Sequence, residues 1–99
     1  MKEYVDIINL ISDIEKKLIQ QNQFDSYTRS FNRLKQIFES LEIEYQIPLN
    51  EKYNDSRTDI EANITGKSNK NLKIVEVLKP IIYLKGMVYQ KGVVIVEGE

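Results

Sequence analysis

Two stretches near the start of the chain carry apolar residues at helical spacing. The first spans about residues 2–21 and the second about residues 26–42. Their apolar positions, three or four residues apart, are Ile7, Ile11, Ile14 and Leu18 in the first stretch and Phe31, Leu34, Phe38 and Leu41 in the second. This spacing places apolar side chains on one face of a helix. The polar run between the two stretches, residues 20–23, does not continue either face, so the pattern predicts two helices joined by a turn.

A hairpin of two helices with one apolar face each is too thin to cover those faces by itself. Two such hairpins form a four-helix bundle when their apolar faces meet. The pattern therefore predicts a homodimer whose interface contains the eight apolar residues above. The alternative is that the same faces pack on the C-terminal part of the same chain.

The pattern changes from helical to extended after Pro48, which cannot donate a backbone hydrogen bond. A linker loop is predicted at residues 47–58, of which 50–58 are polar and loop-like. Residues 59–64 alternate with the period of two that is typical of a half-buried strand. Short apolar runs separated by turn residues then predict strands at 73–78, 81–84, 87–89 and 93–96. The expected fold is α+β, with a helical dimerisation segment at 1–46 and a small antiparallel β-domain at 59–99.

Composition excludes most catalytic chemistry. The 99 residues include no His and no Cys, so an ordinary zinc site, a Ser-His relay and a thiol nucleophile are all missing. The carboxylates lie among lysines at helix-surface spacing, where a solvated helix face explains them. We therefore expect a protein that is not an enzyme and has no metal or cofactor. No apolar run approaches the roughly 18 residues of a membrane span, and the N-terminus lacks the features of a signal peptide, so we expect a cytoplasmic protein.

Charge is distributed unevenly although the net charge is only −1. Between Gly66 and Lys91 there are six lysines and a single acid, Glu76. The positive electrostatic field of these lysines favours binding to an acidic protein surface or to phosphates. Lysines together with Tyr83 and Tyr89 are also found in nucleic-acid-binding β-modules. However, this region has no Arg, the residue that usually dominates nucleic-acid sites, so nucleic acid is the less favoured partner.

The stretch Val75–Val96 is specific enough to suggest a family. It resembles, without gaps, the C-terminal signature of GrpE, the nucleotide exchange factor of DnaK-type chaperones. The matching residues are Glu76, Val77, Leu78, Leu84, Val88, Val94 and Val96. Upstream, Phe38–Tyr45 and Pro48–Asn54 look like the end of the family's helix and the loop that follows it. Met87–Gly92 departs from the family pattern, and both arginines of the signature are absent.

The resemblance implies a mechanism without covalent chemistry. In this family a homodimer is held by its helices, and one β-domain presses on the chaperone's ATPase domain and promotes ADP release. The partner-facing positions that the resemblance implies are Leu78, Met87, Gln90 and Val96; exposure and charge add Lys79, Lys85 and Tyr89. Two alternatives remain open: an adaptor of this fold that binds another acidic protein surface, and a basic β-module that binds nucleic acid.

Overall fold

Two helices form the N-terminal part of the chain, as the apolar spacing predicts. The computed structural model describes residues 1–98, with helix α1 at Lys2–Gln20 and helix α2 at Thr28–Ser40. Asn22 adopts a left-handed backbone conformation, with φ of +56°, and a 3₁₀ turn at Phe24–Tyr27 leads into α2. The polar run between the two apolar faces is therefore the turn. None of the helices in residues 1–98 is both long and apolar enough to cross a bilayer.

The helical segment ends earlier than predicted, because strand β1 occupies Ile43–Gln46. Glu42 has a positive φ of +61°, which ends helical geometry, and the next residues alternate between buried and exposed. Ile43 and Tyr45 are the buried pair, and both residue types favour strands. Four residues are too short a run to distinguish from the last turn of a helix by period alone.

Five further strands form two small sheets with β1. Their bounds are β2 Ile60–Gly66, β3 Lys73–Lys79, β4 Ile81–Leu84, β5 Met87–Gln90 and β6 Gly92–Gly98. Sheet A has the strand order β1-β4-β5, and sheet B has the order β2-β6-β3. The strands predicted from the sequence are all present, within a few residues at their ends.

Sheet B corrects the prediction that the β-domain is antiparallel. Strand β6 runs antiparallel to β3 but parallel to β2, with Ile60 opposite Gly92 and Ile64 opposite Val96. A period of two in the sequence is the same for both directions of pairing, so it does not determine strand direction. The direction of β6 is determined by the intervening β3, β4 and β5. They return the chain to the end of the sheet at which β2 begins, so that β6 begins beside the first residue of β2.

Strand β4 lies between two hydrophobic cores. Ile81 packs with Ile74, Val94 and neighbouring residues of sheet B, whereas Ile82 packs with the helices. Both side chains have no exposed surface. Successive residues of a strand point to opposite faces, so a strand with both faces covered is continuously apolar. Strand β4 therefore separates the core beneath the helices from the core of sheet B, while α1 also contacts the end of β3.

The helices pack on sheet A of their own chain. Ile8 of α1 and Phe38 of α2 form one buried cluster with Ile43, Tyr45 and Ile82 of the sheet. The Phe38 and Tyr45 rings meet edge to face, with 6.5 Å between their centroids. This arrangement is the alternative that the apolar spacing left open. It covers part of each helical face without a second chain.

Candidate binding surface

A tight hairpin between β4 and β5 presents a run of three exposed apolar residues, which includes the most exposed one of the β-domain, Met87. Lys85 and Gly86 both have positive φ, +53° and +79°, as the central residues of a type I′ turn require. The residues that follow, Met87, Val88 and Tyr89, are 75%, 42% and 50% exposed. We call these three residues the hairpin patch. Its backbone is defined by the turn and by pairing with β4.

An amide pair connects the far end of β5 to helix α1. The Gln90 side-chain nitrogen donates to Asn9 Oδ1 at 3.0 Å and to the Pro80 carbonyl at 3.0 Å, and the Asn9 amide donates back to Gln90 Oε1 at 3.4 Å. Gln90 is partly buried, and its amide is engaged within the chain. The sequence predicted Gln90 as a partner contact, whereas the structure uses its amide to hold β5 in place.

Two predicted contacts, Leu78 and Lys79, are exposed at the end of β3. They line a small depression beside Asn9 and Lys16 of helix α1. Gln90 bonds to the adjacent Pro80, so this end of β3 lies beside the Gln90 end of β5. The structure thus brings Leu78 and Lys79 near the base of the hairpin, while the hairpin patch extends from that base toward the turn.

Lys85 lies among acids of its own chain. Its backbone N–H donates to the Glu42 carbonyl at 2.9 Å, and the surrounding depression is lined by Glu39, Glu42 and Glu44. Three glutamates and one lysine therefore line the same depression at the turn. The positive field predicted for the β-domain from its lysine content does not extend to the tip of this hairpin.

Val96 has no exposed surface, so its side chain does not face a partner in this structure. It packs in the core of sheet B with Ile60, Ile74 and Val94. The family resemblance placed Val96 among the contacts by position in the signature, but β6 is the central strand of sheet B, where alternate residues point into the core. Its match to the signature is accounted for by packing.

The eight residues predicted for a helical dimer interface differ in their exposure. Phe31 and Phe38 are buried within the chain. The half-buried members are Ile11, Leu18 and Leu34, and the exposed members are Ile7, Ile14 and Leu41. Leu10 and Ile37, which the predicted interface did not include, are also exposed. The dimer itself remains a prediction.

A buried carboxylate that the sequence analysis did not single out joins both helices to sheet A. Glu15 has one oxygen 2.7 Å from the Tyr45 hydroxyl, which donates to it, and the other 3.1 Å from the Lys35 ammonium. Lys35 also lies over the Tyr45 ring, 5.3 Å from its centroid. Burial, followed by the Glu15 carboxylate, raises the pKa of Tyr45. In the sequence, Glu15 is indistinguishable from the solvated acids of α1, so no pattern identified it.

A second cluster of hydrogen-bonded polar side chains holds the start of β2 against sheet A. The Arg57 guanidinium donates to both oxygens of Asp59 at 3.2 Å and to Glu51 at 3.0 Å, and the Tyr83 hydroxyl donates to Asp59 at 2.9 Å. The Arg57 hydrogen bonds hold the pKa of Asp59 below its usual range. Burial and the Asp59 carboxylate raise the pKa of Tyr83 to about 12.

These two tyrosines predict how stability changes at alkaline pH. An unfolded tyrosine ionises near pH 10. The folded pKa of Tyr83 is higher, so its contribution to stability is complete below about pH 10 and is lost as pH rises toward about 12. Tyr45 acts in the same direction. We expect fewer than all six tyrosines to ionise by about pH 11 while the chain is folded.

Tyrosinate absorbance against pH, recorded with and without denaturant, measures this difference. Tyr83→Phe and Tyr45→Phe should each remove one late-ionising group, whereas Tyr89→Phe, which changes an exposed tyrosine, serves as the control. The prediction is contradicted if all six tyrosines ionise together near pH 10 in a protein whose circular dichroism remains native.

A depression of about 900 Å³ lies along the 3₁₀ turn and α2 and is lined by polar residues, among them Asp25, Arg29 and Arg33. Another of about 720 Å³ is open and lies between residues 50–55 and 69–73. It is lined mainly by asparagines, with Lys52, Lys73, Tyr53 and Asp55. Within residues 1–98 there is no group of three carboxylates close enough together to hold a metal ion. The hairpin patch is therefore the surface that the structure distinguishes most clearly.

No family model, curated protein or solved structure matches this chain.

Proposed function

We propose that this protein acts by binding another protein through the hairpin patch, without catalysing a reaction. The observation that carries the proposal is the exposure of three consecutive apolar side chains, Met87, Val88 and Tyr89, on a tight hairpin. Aromatic residues and Met are enriched at protein interfaces. Met87 and Tyr89 lie on the same face of β5, and Val88 lies on the other. Neighbouring apolar residues on one exposed face are typical of an interaction site, whereas single ones are ordinary.

The hairpin is well suited to binding because it loses little conformational freedom when it docks. The type I′ turn and the β4 pairing define its backbone, and the Asn9–Gln90 amide pair fixes its base. A preorganised surface avoids the entropic cost of ordering a loop during association. Met87 adds an unbranched side chain that adjusts to the shape of a partner.

The resemblance to GrpE suggests the class of partner, the ATPase domain of a DnaK-type chaperone. An exchange factor needs only to bind the open state of the nucleotide cleft more tightly than the closed state. That difference in affinity shifts the population toward the open state, and ADP then dissociates. The proposed activity is accelerated ADP release, with the hairpin patch as the main contact and Leu78 and Lys79 as its flank.

The charge around the turn favours an apolar contact over an electrostatic one. Glu39, Glu42 and Glu44 line the same depression as Lys85, and their charges weaken the attraction of the hairpin tip for phosphates or for a strongly acidic surface. Binding through the hairpin patch should therefore depend only weakly on salt, in contrast to nucleic-acid binding, which weakens steeply as salt rises. Salt dependence thus separates the proposal from its nucleic-acid alternative.

The release rate of fluorescent ADP from a DnaK-type chaperone of the same cell tests the proposal. The wild-type protein should accelerate release, and Met87→Asp combined with Tyr89→Asp should weaken binding by about tenfold or more, as expected for central apolar contacts. Val75→Asp is the matched control, because Val75 is an exposed apolar strand residue outside the hairpin. It should behave as the wild type.

Three outcomes distinguish the alternatives. Binding that the double substitution abolishes, but without accelerated ADP release, supports the adaptor. Acceleration that the double substitution leaves intact contradicts the hairpin patch as the contact. Neither binding nor acceleration with any DnaK-type chaperone of that cell contradicts the proposed partner.

We also propose that two chains pair through their helices. Ile7 and Ile14 of α1 and Leu41, directly after α2, remain exposed after the helices have packed on sheet A. Leu10 and Ile37, one helical turn away from them, are also exposed. Covering these residues with the helices of a second chain would build the predicted four-helix bundle. Ile14→Asp together with Leu41→Asp should reduce the mass measured in solution if this contact forms.

A further inference from the structure

Strand β2 leaves one edge of sheet B uncovered. The sheet has the order β2-β6-β3, so β2 and β3 are its two edges. The edge of β3 is covered by its own chain: the Asn50 N–H donates to the Ile74 carbonyl, the Ile74 N–H donates to the Glu51 carbonyl, and the Lys16 ammonium donates to the Val77 carbonyl, each at 2.9 Å. Within residues 1–98, the outer edge of β2 has no comparable cover.

The phase of the β2–β6 pairing identifies which backbone groups point outward. The Gly92 N–H donates to the Asp59 carbonyl at 2.9 Å, so odd-numbered residues here face β6. In a strand the N–H and C=O of one residue point to the same side, and successive residues alternate. The even-numbered residues, Ile60, Ala62, Ile64 and Gly66, therefore direct their donors and acceptors away from the sheet. A buried or docked edge requires partners for these groups.

We propose that two copies of this chain pair antiparallel through strand β2, with Asn63 opposite Asn63 of the second copy. This register places Ala62 opposite Ile64, and Ile60 opposite Gly66, of the second copy. All four outward-facing residues of each copy then lie in hydrogen-bonded pairs. The result is one continuous six-stranded sheet with the order β3-β6-β2 in each copy and the two β2 strands at its centre.

The register centred on Asn63 is the one that pairs the whole of β2. Shifting the centre to Ala62 or Ile64 preserves the hydrogen-bonding parity but leaves residues at one end of each strand unpaired. Gly66 has a φ of +99° and ends the extended geometry, so pairing does not continue beyond it. The length of β2 therefore selects the register in which the pairing is centred on Asn63.

Side chains at this edge are complementary to a second copy. Glu61, the charged residue of β2, faces Thr65 of the second copy instead of another Glu61, so no like charges oppose each other. Ile64, which is 47% exposed, gains Ala62 of the second copy as its neighbour. The strand also lacks Pro and inward-pointing charge, the devices that usually protect an exposed edge from pairing. These features favour a second copy over an unrelated strand.

Cysteine cross-linking tests the register directly, since the chain contains no Cys. Residues opposite each other in a non-hydrogen-bonded antiparallel pair have Cβ atoms about 4.5–5.5 Å apart. Under mild oxidation, Asn63→Cys should therefore form a disulfide-linked dimer. Glu61→Cys and Thr65→Cys, on the same face of the strand, should not cross-link with themselves but should cross-link when the two variants are mixed.

Ala62→Pro tests the hydrogen bonds. The Ala62 N–H points outward, so proline at this position removes a contact between copies and no bond to β6, and edge strands tolerate proline there. The variant should remain folded by circular dichroism and lose dimer mass in light scattering over a concentration series. Any mass that remains above one chain reports the proposed helical contact separately.

The cysteine results stand even if Ala62→Pro does not fold. Cross-linking at Asn63 together with the mixed Glu61–Thr65 pair supports the proposal. A monomer at all concentrations, self-linking at Glu61, or a dimer that Ile14→Asp dissociates and Asn63→Cys does not trap would each overturn it. None of these outcomes bears on the hairpin patch, which belongs to sheet A.

Discussion

Ile82→Ala is expected to lower the free energy of unfolding by about 2–5 kcal/mol, as is Ile81→Ala. Both side chains are fully buried in one strand, but Ile81 fills the core of sheet B and Ile82 the core beneath the helices. Truncation of either leaves a cavity that the surrounding residues fill only in part. A domain of this size has a total stability of roughly 5–15 kcal/mol, so either loss is large. Urea unfolding followed by circular dichroism measures it.

Ile37→Ala supplies the matched control, because it removes the same atoms from a residue that is half exposed on α2. Its cost should stay well below that of either β4 substitution. Since β4 belongs to both cores, the chain should unfold in one common transition. Ile81→Ala and Ile82→Ala should each lower the urea concentration at the midpoint of that transition. Separate transitions for the helices and sheet B would contradict the shared role of β4.

The second large effect is expected at Glu15. Glu15→Ala removes the acceptor of the buried Tyr45 hydroxyl and the partner of Lys35, and leaves a cavity. A buried polar group without a partner costs about 1–3 kcal/mol, and the lost packing adds to that, so we expect a total loss of about 2–4 kcal/mol. The Lys35 side chain is 42% exposed, and water replaces part of its lost contact.

Glu15→Gln separates hydrogen bonding from charge. The amide oxygen still accepts from Tyr45, so most of the packing and one hydrogen bond remain, and this variant should be more stable than Glu15→Ala. The cycle of Glu15→Ala and Tyr45→Phe, in which each substitution removes the hydrogen bond, gives the coupling between the two side chains by denaturant unfolding. Effects that simply add would show that the hydrogen bond contributes little.

The sequence predicted the individual helices and strands of this fold more fully than the pairing between the strands. Helical spacing located α1 and α2, and alternation with turn residues located β2 to β6, because both signals reside in neighbouring residues. Strand pairing depends on residues far apart, and the pattern did not contain it. The parallel pairing of β2 with β6 is an example. Strand β1 was missed because its four residues follow a helix without a Gly or Pro to mark the boundary.

The same distinction applies to the candidate site. The turn at Lys85–Gly86 was predicted, and the following residues, Met87 and Tyr89, are exposed as a contact surface requires. Val96, which the resemblance implied as a contact, has no exposed surface, because a position in a signature does not reveal which residues of a central strand point into the core. Glu15 could not be recognised at all, since its role depends on Lys35 and Tyr45, which lie on other elements.

The cluster of Ile8, Phe38 and Ile82 also determines the order in which the chain can complete its fold during synthesis. Helix α1 emerges from the ribosome first, yet its buried face is covered by a strand that begins some 70 residues later. Sheet A likewise joins Ile43 to Leu84, a long loop to close before pairing can stabilise it. The nascent helices therefore expose apolar surface until β4 has been made, and during that interval the chain itself presents the surface that chaperones bind.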